Sequence, residues 1–362
     1  MLKLLLDLIS DKPIEPDKYQ DVLETVAIAT NKIQLHQFDD EPLITTINNF
    51  CKKTPSKTFS VSLSGGVDSM VLISIIHYLG YNVIGLHINY NNRDETLLEE
   101  QFLDEWCKFN EIKLYKKVIN NIKRGTTKRS DYETITKMIR INFYKEILKK
   151  ESADIIILGH HKDDIIENIF ANVCRGRNLL DLAVIQEYTV LSNINIARPM
   201  LEYYKQTILD FAKKYQIPYF KDTTPDWSVR GKYRNQIFPI IEDTFTKNIK
   251  NNLIYLSEQS SQWNQLISSE IIKPFIDTVV INKENNSIEF NVEKYKGYPL
   301  CFWNHVFMDL FNHFNFRHPS RKGMKTFINS IQEKTVCYAS ISINCECYIK
   351  NYNVKITFNQ SI

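Results

Sequence analysis

The run Ser64-Gly65-Gly66-Val67-Asp68-Ser69 brings two glycines, two hydroxyls and a carboxylate into six positions. Glycines let a backbone approach a bulky anion closely, and the N–H groups at a helix N-terminus point toward one. Ser64 and Ser69 add hydroxyl donors, and Asp68 suits the Mg2+ that accompanies a polyphosphate. A plain strand-to-helix turn would accept Gly-Gly without needing the serines and the acid around it. A second constellation is Gly159-His160-His161-Lys162-Asp163-Asp164-Ile165-Ile166-Glu167. If a helix starts near His161, then His160, Asp164 and Glu167 fall at i, i+4 and i+7 on one face. A carboxylate pair can grip an ammonium group or a metal, and an imidazole can donate to a developing charge or position a phosphate. Acids in a first helical turn also cap the helix and complement its dipole. That accounts for Asp163 and Asp164, but not for His160 and Glu167 beside them.

The elements that must position these groups follow from the apolar pattern. Phe59, Val61 and Leu63 alternate as in a strand, and Met70 to Leu79 reads as an apolar helix stopped at Gly80. Val83–Ile88, Lys113–Val118 and Ile155–Leu158 read as further strands, and Thr96–Phe109, Tyr132–Lys149 and Asp163–Cys174 as helices. From Phe59 to about Glu242 this alternation predicts an α/β fold, a Rossmann-like parallel sheet with helices on both faces. Ligands of such sheets sit beyond the C-terminal strand ends, so the loops at Ser64, Asn89 and Gly159 are expected to converge.

Four segments are expected. Residues 1–57 form an N-terminal extension, with Leu2, Leu5, Leu6 and Ile9 spaced as a short helix before Pro13 and Pro16. Residues 58–245 form the phosphate-binding domain, and 246–275 a helical linker. Residues 276–362 form a smaller α+β domain with a hairpin over Val279–Val292, helices over Leu300–Phe314 and Ser320–Ile331, and strands over Val336–Phe358. Phe302, Trp303, Phe307, Phe311, Phe314 and Phe316 stand at near-helical spacing and are expected in its core.

With 362 residues and a formal net charge of +3, the chain is no generally basic body, and any nucleic-acid surface must be a local patch. Two patches qualify: Lys123, Arg124, Lys128, Arg129 and Lys137, and Arg317, His318, Arg321, Lys322 and Lys325. Seven scattered cysteines without a Cys-x-x-Cys pair fit a reducing compartment and speak against structural zinc or an iron–sulfur cluster. The apolar start, Met1 to Leu6, is interrupted by Asp7, too soon for a secretory segment. A cytoplasmic protein with no membrane association is expected.

Ser64-Gly65-Gly66-Val67-Asp68-Ser69 resembles the Ser-Gly-Gly-x-Asp-Ser loop of PP-loop ATP pyrophosphatases, which split ATP between its α and β phosphates. His160-His161-Lys162-Asp163-Asp164 with Glu167 and Arg175-Gly176 resembles the His-His-x-Asp-Asp-x-x-Glu-Thr … Arg-Gly run of one branch, the tRNA(Ile)-lysidine synthetases. His87-Ile88-Asn89-Tyr90-Asn91-Asn92-Arg93, Glu133 with Arg140, Arg198-Pro199-Met200-Leu201, and Asp222 with Arg234-Asn235 and Pro239 are similar to four further stretches of that family, in its order. Departures are Lys137 and Ile141 in the Arg140 helix, Lys205 where arginine is usual, and a longer Asp222–Arg234 segment.

The resemblance implies an ATP- and Mg2+-dependent ligase that adenylates the wobble cytidine of an isoleucine tRNA and joins free L-lysine to it. It implies that Ser64, Gly65, Gly66, Val67, Asp68 and Ser69 hold ATP, with Asp68 on the metal. Asp164 and Glu167 would contact lysine, while His160, Arg140 and Arg234 handle the phosphates or the adenylated base. A tRNA thiolation enzyme shares the loop, and a non-catalytic RNA-binding paralogue would share the fold. The sequence leaves the oligomeric state open.

Overall fold

The computed structural model describes residues 16–24, 41–91, 95–120, 122, 127–182, 185–222, 228–314, 316–333, 336–343 and 345–359. The expected helix at Leu2–Ile9, Lys123, Arg124, Arg93 and the side chain of Arg129 lie outside them. The chain divides into two compact units, Met1–Ala171 with Val184–Ile254, and Asn172–Ala183 with Tyr255–Ile362.

The first unit is built on a six-stranded sheet of order β3-β2-β1-β4-β6-β5. Its strands are β1 (Phe59–Ser62), β2 (Val83–Asn89), β3 (Lys113–Val118), β4 (Ile155–Ile157), β5 (Tyr188–Leu191) and β6 (Ile194–Ala197). All neighbours pair in parallel except β5, which runs antiparallel to β6 at the edge. The sheet is therefore mixed, with parallel pairing dominant. Phe59, Val61, Val83, Ile155 and Ile157 pack into one layer with helices α1 (Pro42–Lys53), α2 (Val67–Tyr78), α3 (Thr96–Phe109) and α6 (Lys205–Lys214). Ile84, Leu86, Ile156 and Ile196 pack on the other face against Phe143, Tyr144 and Ile147 of α4 (Arg129–Glu151). Burial on both faces is why β4 reads as a continuous apolar run. Tyr19, Val22 and Leu23 also join the first layer.

Strand order reverses at β1, whose parallel neighbours are β2 on one side and β4 on the other, and that switch opens the crevice above their C-terminal ends. The loop after β1 closes into α2, and the loop after β4 into α5 (Lys162–Cys174). These loops touch: a Cβ on Gly159 would lie 3.0 Å from the Cβ and carbonyl carbon of Asp68. Asn89 departs from the expected convergence. Its amide donates to Glu100 at 2.8 Å, and it does not line the crevice.

The second unit carries five strands, β7 (Val280–Asn282), β8 (Ser287–Asn291), β9 (Val336–Ser342), β10 (Cys345–Lys350) and β11 (Asn353–Phe358), in an antiparallel sheet of order β7-β8-β11-β10-β9. Helices over Leu300–His313 and Arg321–Glu333 pack with it around Trp303, Phe307, Phe311 and Phe327. The expected aromatic series is core: Phe302, Trp303, Phe307 and Phe311 are buried, and Phe314 and Phe316 pack against them. The Ile249–Ile267 helix is divided between the units at Ile254 and Tyr255, so residues 246–275 do not stand apart.

Two features of the first unit give measurable outcomes. Gly65 has φ +82°, and a Cβ there would fall 1.9 Å from the Phe220 ring, whereas Gly80 at φ +80° has open space around it. Gly80→Ala should lose only the left-handed penalty of roughly 1–2 kcal/mol. Gly65→Ala should lose that and a further overpacking cost of about 1–3 kcal/mol, read as the difference between the two in denaturant unfolding. His87 is buried, with Nδ1 donating to the Leu63 carbonyl at 2.9 Å. Burial pushes its pKa below the ordinary 6.5, so between the two values the unfolded chain binds the proton more readily. Its contribution is complete above about pH 6.5 and lost as pH falls through the folded value. The melting temperature should drop between neutral and mildly acid pH, and His87→Asn should flatten part of that slope.

Candidate active site

The phosphate loop is shaped by its own side chains. The Ser69 hydroxyl donates to the Gly66 carbonyl at 3.0 Å and accepts the Ser64 N–H at 3.1 Å, and the two hydroxyls lie 3.1 Å apart. The Gly66 N–H donates to the Ser64 hydroxyl at 3.3 Å. The first N–H groups of α2 have no partner within the helix, and they open toward the crevice at its positive end. One cavity is lined by Ser64, Gly66, Val67, Asp68 and Ser69, and by Arg140, His160, Asp164, Glu167 and Arg234. Every expected site residue is there except Gly65, which faces Phe220 and acts through its backbone conformation.

Asp68 divides its two oxygens. Oδ2 accepts from Lys205 Nζ at 2.6 Å, whereas Oδ1 is buried with no hydrogen-bond partner and lies 3.8 Å from His161 Nε2. His161 is almost completely buried and also lies 3.6 Å from Asp163 and 3.3 Å from Asp164. The helical spacing points to its neighbour His160 instead.

Helix α5 starts at Lys162, one residue later than the spacing argument assumes. His160 is therefore not on the helix and enters the cavity from the loop after β4. Arg198 Nε donates to His160 Nδ1 at 3.0 Å, which leaves the ring proton of a neutral imidazole on Nε2. Burial pushes His160 below its ordinary pKa; Asp164 pulls against this, and Arg198, Arg230 and His161 reinforce it. Asp163 is a connector, accepting the Lys205 N–H at 2.8 Å. Burial opposes its ionisation, but His161 and the Lys205 N–H hold its pKa below the ordinary 3.8.

Asp164 and Glu167 do share one face of α5, and both are buried. Each is met by two guanidinium groups. Arg230 reaches Glu167 at 3.0 Å and Asp164 at 3.1 Å, while Arg234 reaches Glu167 at 2.5 Å and Asp164 at 3.8 Å. Burial works against the charge of Arg234, but Glu167, Asp164 and Asp222 outweigh it and raise its pKa. Arg140 is exposed on α4, at the cavity. Arg230 and Lys205 went unassigned in the sequence. The one signal for Arg230 was its spacing of four from Arg234, which placed both on one side of a helical turn.

Among the described residues, no group of three or more His, Cys, Asp or Glu side chains is arranged to hold a metal ion. No cysteine is among the described residues that line the cavity. No described helix is long and apolar enough to cross a membrane.

Comparison with known proteins finds relatives of this chain. A tRNA(Ile)-lysidine synthase of Chlamydia muridarum is 28% identical over 239 residues, spanning 65% of this chain and 73% of that protein. One of Francisella tularensis subsp. holarctica is 26% identical over 322 residues, spanning 87% of this chain and 75% of that protein. Among solved structures, the U34-tRNA thiolase NcsA of Methanococcus maripaludis aligns with a TM-score of 0.47 at 16% identity, covering 63% of this chain and 79% of that one. Residues 40–241, more than half of the chain, match the PP-loop domain, and the chain belongs to that family.

Proposed function

We propose that the protein is an ATP-dependent tRNA-modifying ligase that joins free lysine to the wobble cytidine of an isoleucine tRNA. Membership of the PP-loop family and the similarity to curated tRNA(Ile)-lysidine synthases support the reading. The observation that carries it is the buried carboxylate pair Asp164 and Glu167 in the same cavity wall as the phosphate loop. Two carboxylates suit an ammonium co-substrate through charge-assisted hydrogen bonds, and a sulfur donor has no use for them. Thiolation would also want a cysteine near the reacting atoms, and the described cavity lining has none.

In the proposed reaction the cytidine C2 oxygen attacks the α-phosphorus of ATP, and pyrophosphate leaves with the electrons of the α–β bridge. The lysine ε-amine then attacks C2 and gives up a proton, while the C2–O bond breaks and AMP leaves. The N–H groups at the start of α2 and the Ser64 and Ser69 hydroxyls would hold the polyphosphate. The partnerless Asp68 Oδ1 fits a Mg2+ ligand, since that ion is commonly bound by one or two carboxylates together with phosphate oxygens. When bound there, the ion supplies positive charge against the pyrophosphate. His160 presents an Nε2–H donor, and Arg140 a cation, to the adenylated base or the phosphates. Asp164 is the candidate to take the amine proton. In the second unit, the exposed Arg317, His318, Arg321, Lys322 and Lys325 are the candidate contacts to tRNA phosphates.

The test supplies isotope-labelled lysine, ATP and an isoleucine tRNA with an unmodified wobble cytidine, and follows the label by nucleoside mass analysis. Label in a modified cytidine is the expected result. Sulfur from a thiol donor entering while lysine never does would replace this reading with thiolation, and neither entering would leave an RNA-binding paralogue. Asp68→Ala should abolish AMP release with an unchanged circular-dichroism spectrum. Normal activity with normal Mg2+ dependence in that variant would remove the metal assignment.

A further inference from the structure

Asp164 and Glu167 form with Arg230 and Arg234 a cluster of two negative and two positive charges in the cavity wall. Those guanidinium groups already take the carboxylate oxygens that an ammonium ion on the same pair would need, so binding one there requires a guanidinium to give way. The geometry decides which. Arg234 is 28% exposed, meets three carboxylates including Asp222 at 3.7 Å, and follows Tyr233, whose ring packs edge-on against Phe170. Arg230 is 55% exposed, stands on the single turn Val229–Lys232, and meets only two. It takes Asp164 Oδ1 and Glu167 Oε2, whereas Asp164 Oδ2 already accepts the His161 N–H at 3.1 Å.

We propose that Arg230 is an exchangeable internal cation that occupies the amine subsite and is displaced by the ammonium group of the incoming substrate. This rests on the lysine reading of the site. The device sets specificity. A neutral side chain in place of Arg230 would leave Asp164 and Glu167 with Arg234 as their one remaining guanidinium partner, so a cationic ligand exchanges with it more favourably than a neutral one. It also lowers the apparent affinity for that ligand, because the vacant subsite is a minor state of the empty protein.

The experiment compares full-length wild type, Arg230→Gln and Arg230→Lys for the KM of lysine, the KM of ATP and kcat in labelled-lysine transfer. It adds thermal unfolding with and without lysine or norleucine, which has the same chain length without the ε-amine. Arg230→Gln is expected to lower the lysine KM several-fold with the ATP KM unmoved, and Arg230→Lys to fall between it and wild type. Arg230→Gln should melt lower than wild type when empty and gain more from lysine, with no such gain from norleucine. If Arg230→Gln does not fold, a lysine KM below wild type in Arg230→Lys still supports the exchange. A lysine KM that rises or stays unchanged makes Arg230 a fixed part of the site and overturns the proposal alone. A wild-type protein that transfers no lysine overturns the functional reading and this proposal with it.

Discussion

Asp164 and Glu167 are held almost out of water in the cavity wall, and buried carboxylates persist there only with cations on them. Much of the site's construction serves this one requirement. The turn of helix that follows Ser228 brings Arg230 over both acids, and the π-turn Tyr233–Ile237 brings Arg234 to the same pair from the next turn. The His161 N–H and imidazole satisfy the remaining oxygen of Asp164. Losing a cation from such a cluster costs more than losing one from an exposed ion pair, because the carboxylates left behind stay buried.

The same compensation recurs at Asp68, with a different outcome. Lys205 neutralises one oxygen, and Asp163 holds the backbone of Lys205, so the first turns of α5 and α6 are tied by a side-chain hydrogen bond. The other oxygen of Asp68 is left with no partner. A buried acceptor without a donor is unfavourable, and few such atoms occur in folded proteins. The loop is thus neutralised on the side facing α6 and left open on the other.

The phosphate loop and the alternation of strands and helices were legible because both rest on local chemistry. Glycine at a left-handed position and apolar runs buried on two faces leave their mark in neighbouring residues. The β5–β6 hairpin was not legible. Its strands are four residues each, and its turn places Ser192 and Asn193 at φ 50° and 63° where Asn-Gly would have announced it. His161, Lys205 and Arg230 were missed for another reason. Their roles depend on partners up to 137 residues away, as with Lys205 and Asp68, and pairing at that range leaves no periodic trace. His160 was selected by a helical spacing that the structure does not have, yet it reaches the cavity because the loop after β4 ends there.

Gly65 and Phe220 connect the earliest part of the site to one of the latest. The Phe220 N–H donates to the Gly65 carbonyl at 2.9 Å, and its ring fills the space where any Cβ on Gly65 would stand. During synthesis, β1, the loop and α2 emerge from the ribosome well over a hundred residues before the aromatic ring against which the loop is moulded. A nascent chain released short of Phe220 would have the entire phosphate-binding signature and lack the contact that fixes its shape. The shape of this loop is therefore a property of the completed unit, set through a contact of high sequence separation. The hexapeptide transplanted onto another strand and helix would not bring that shape with it.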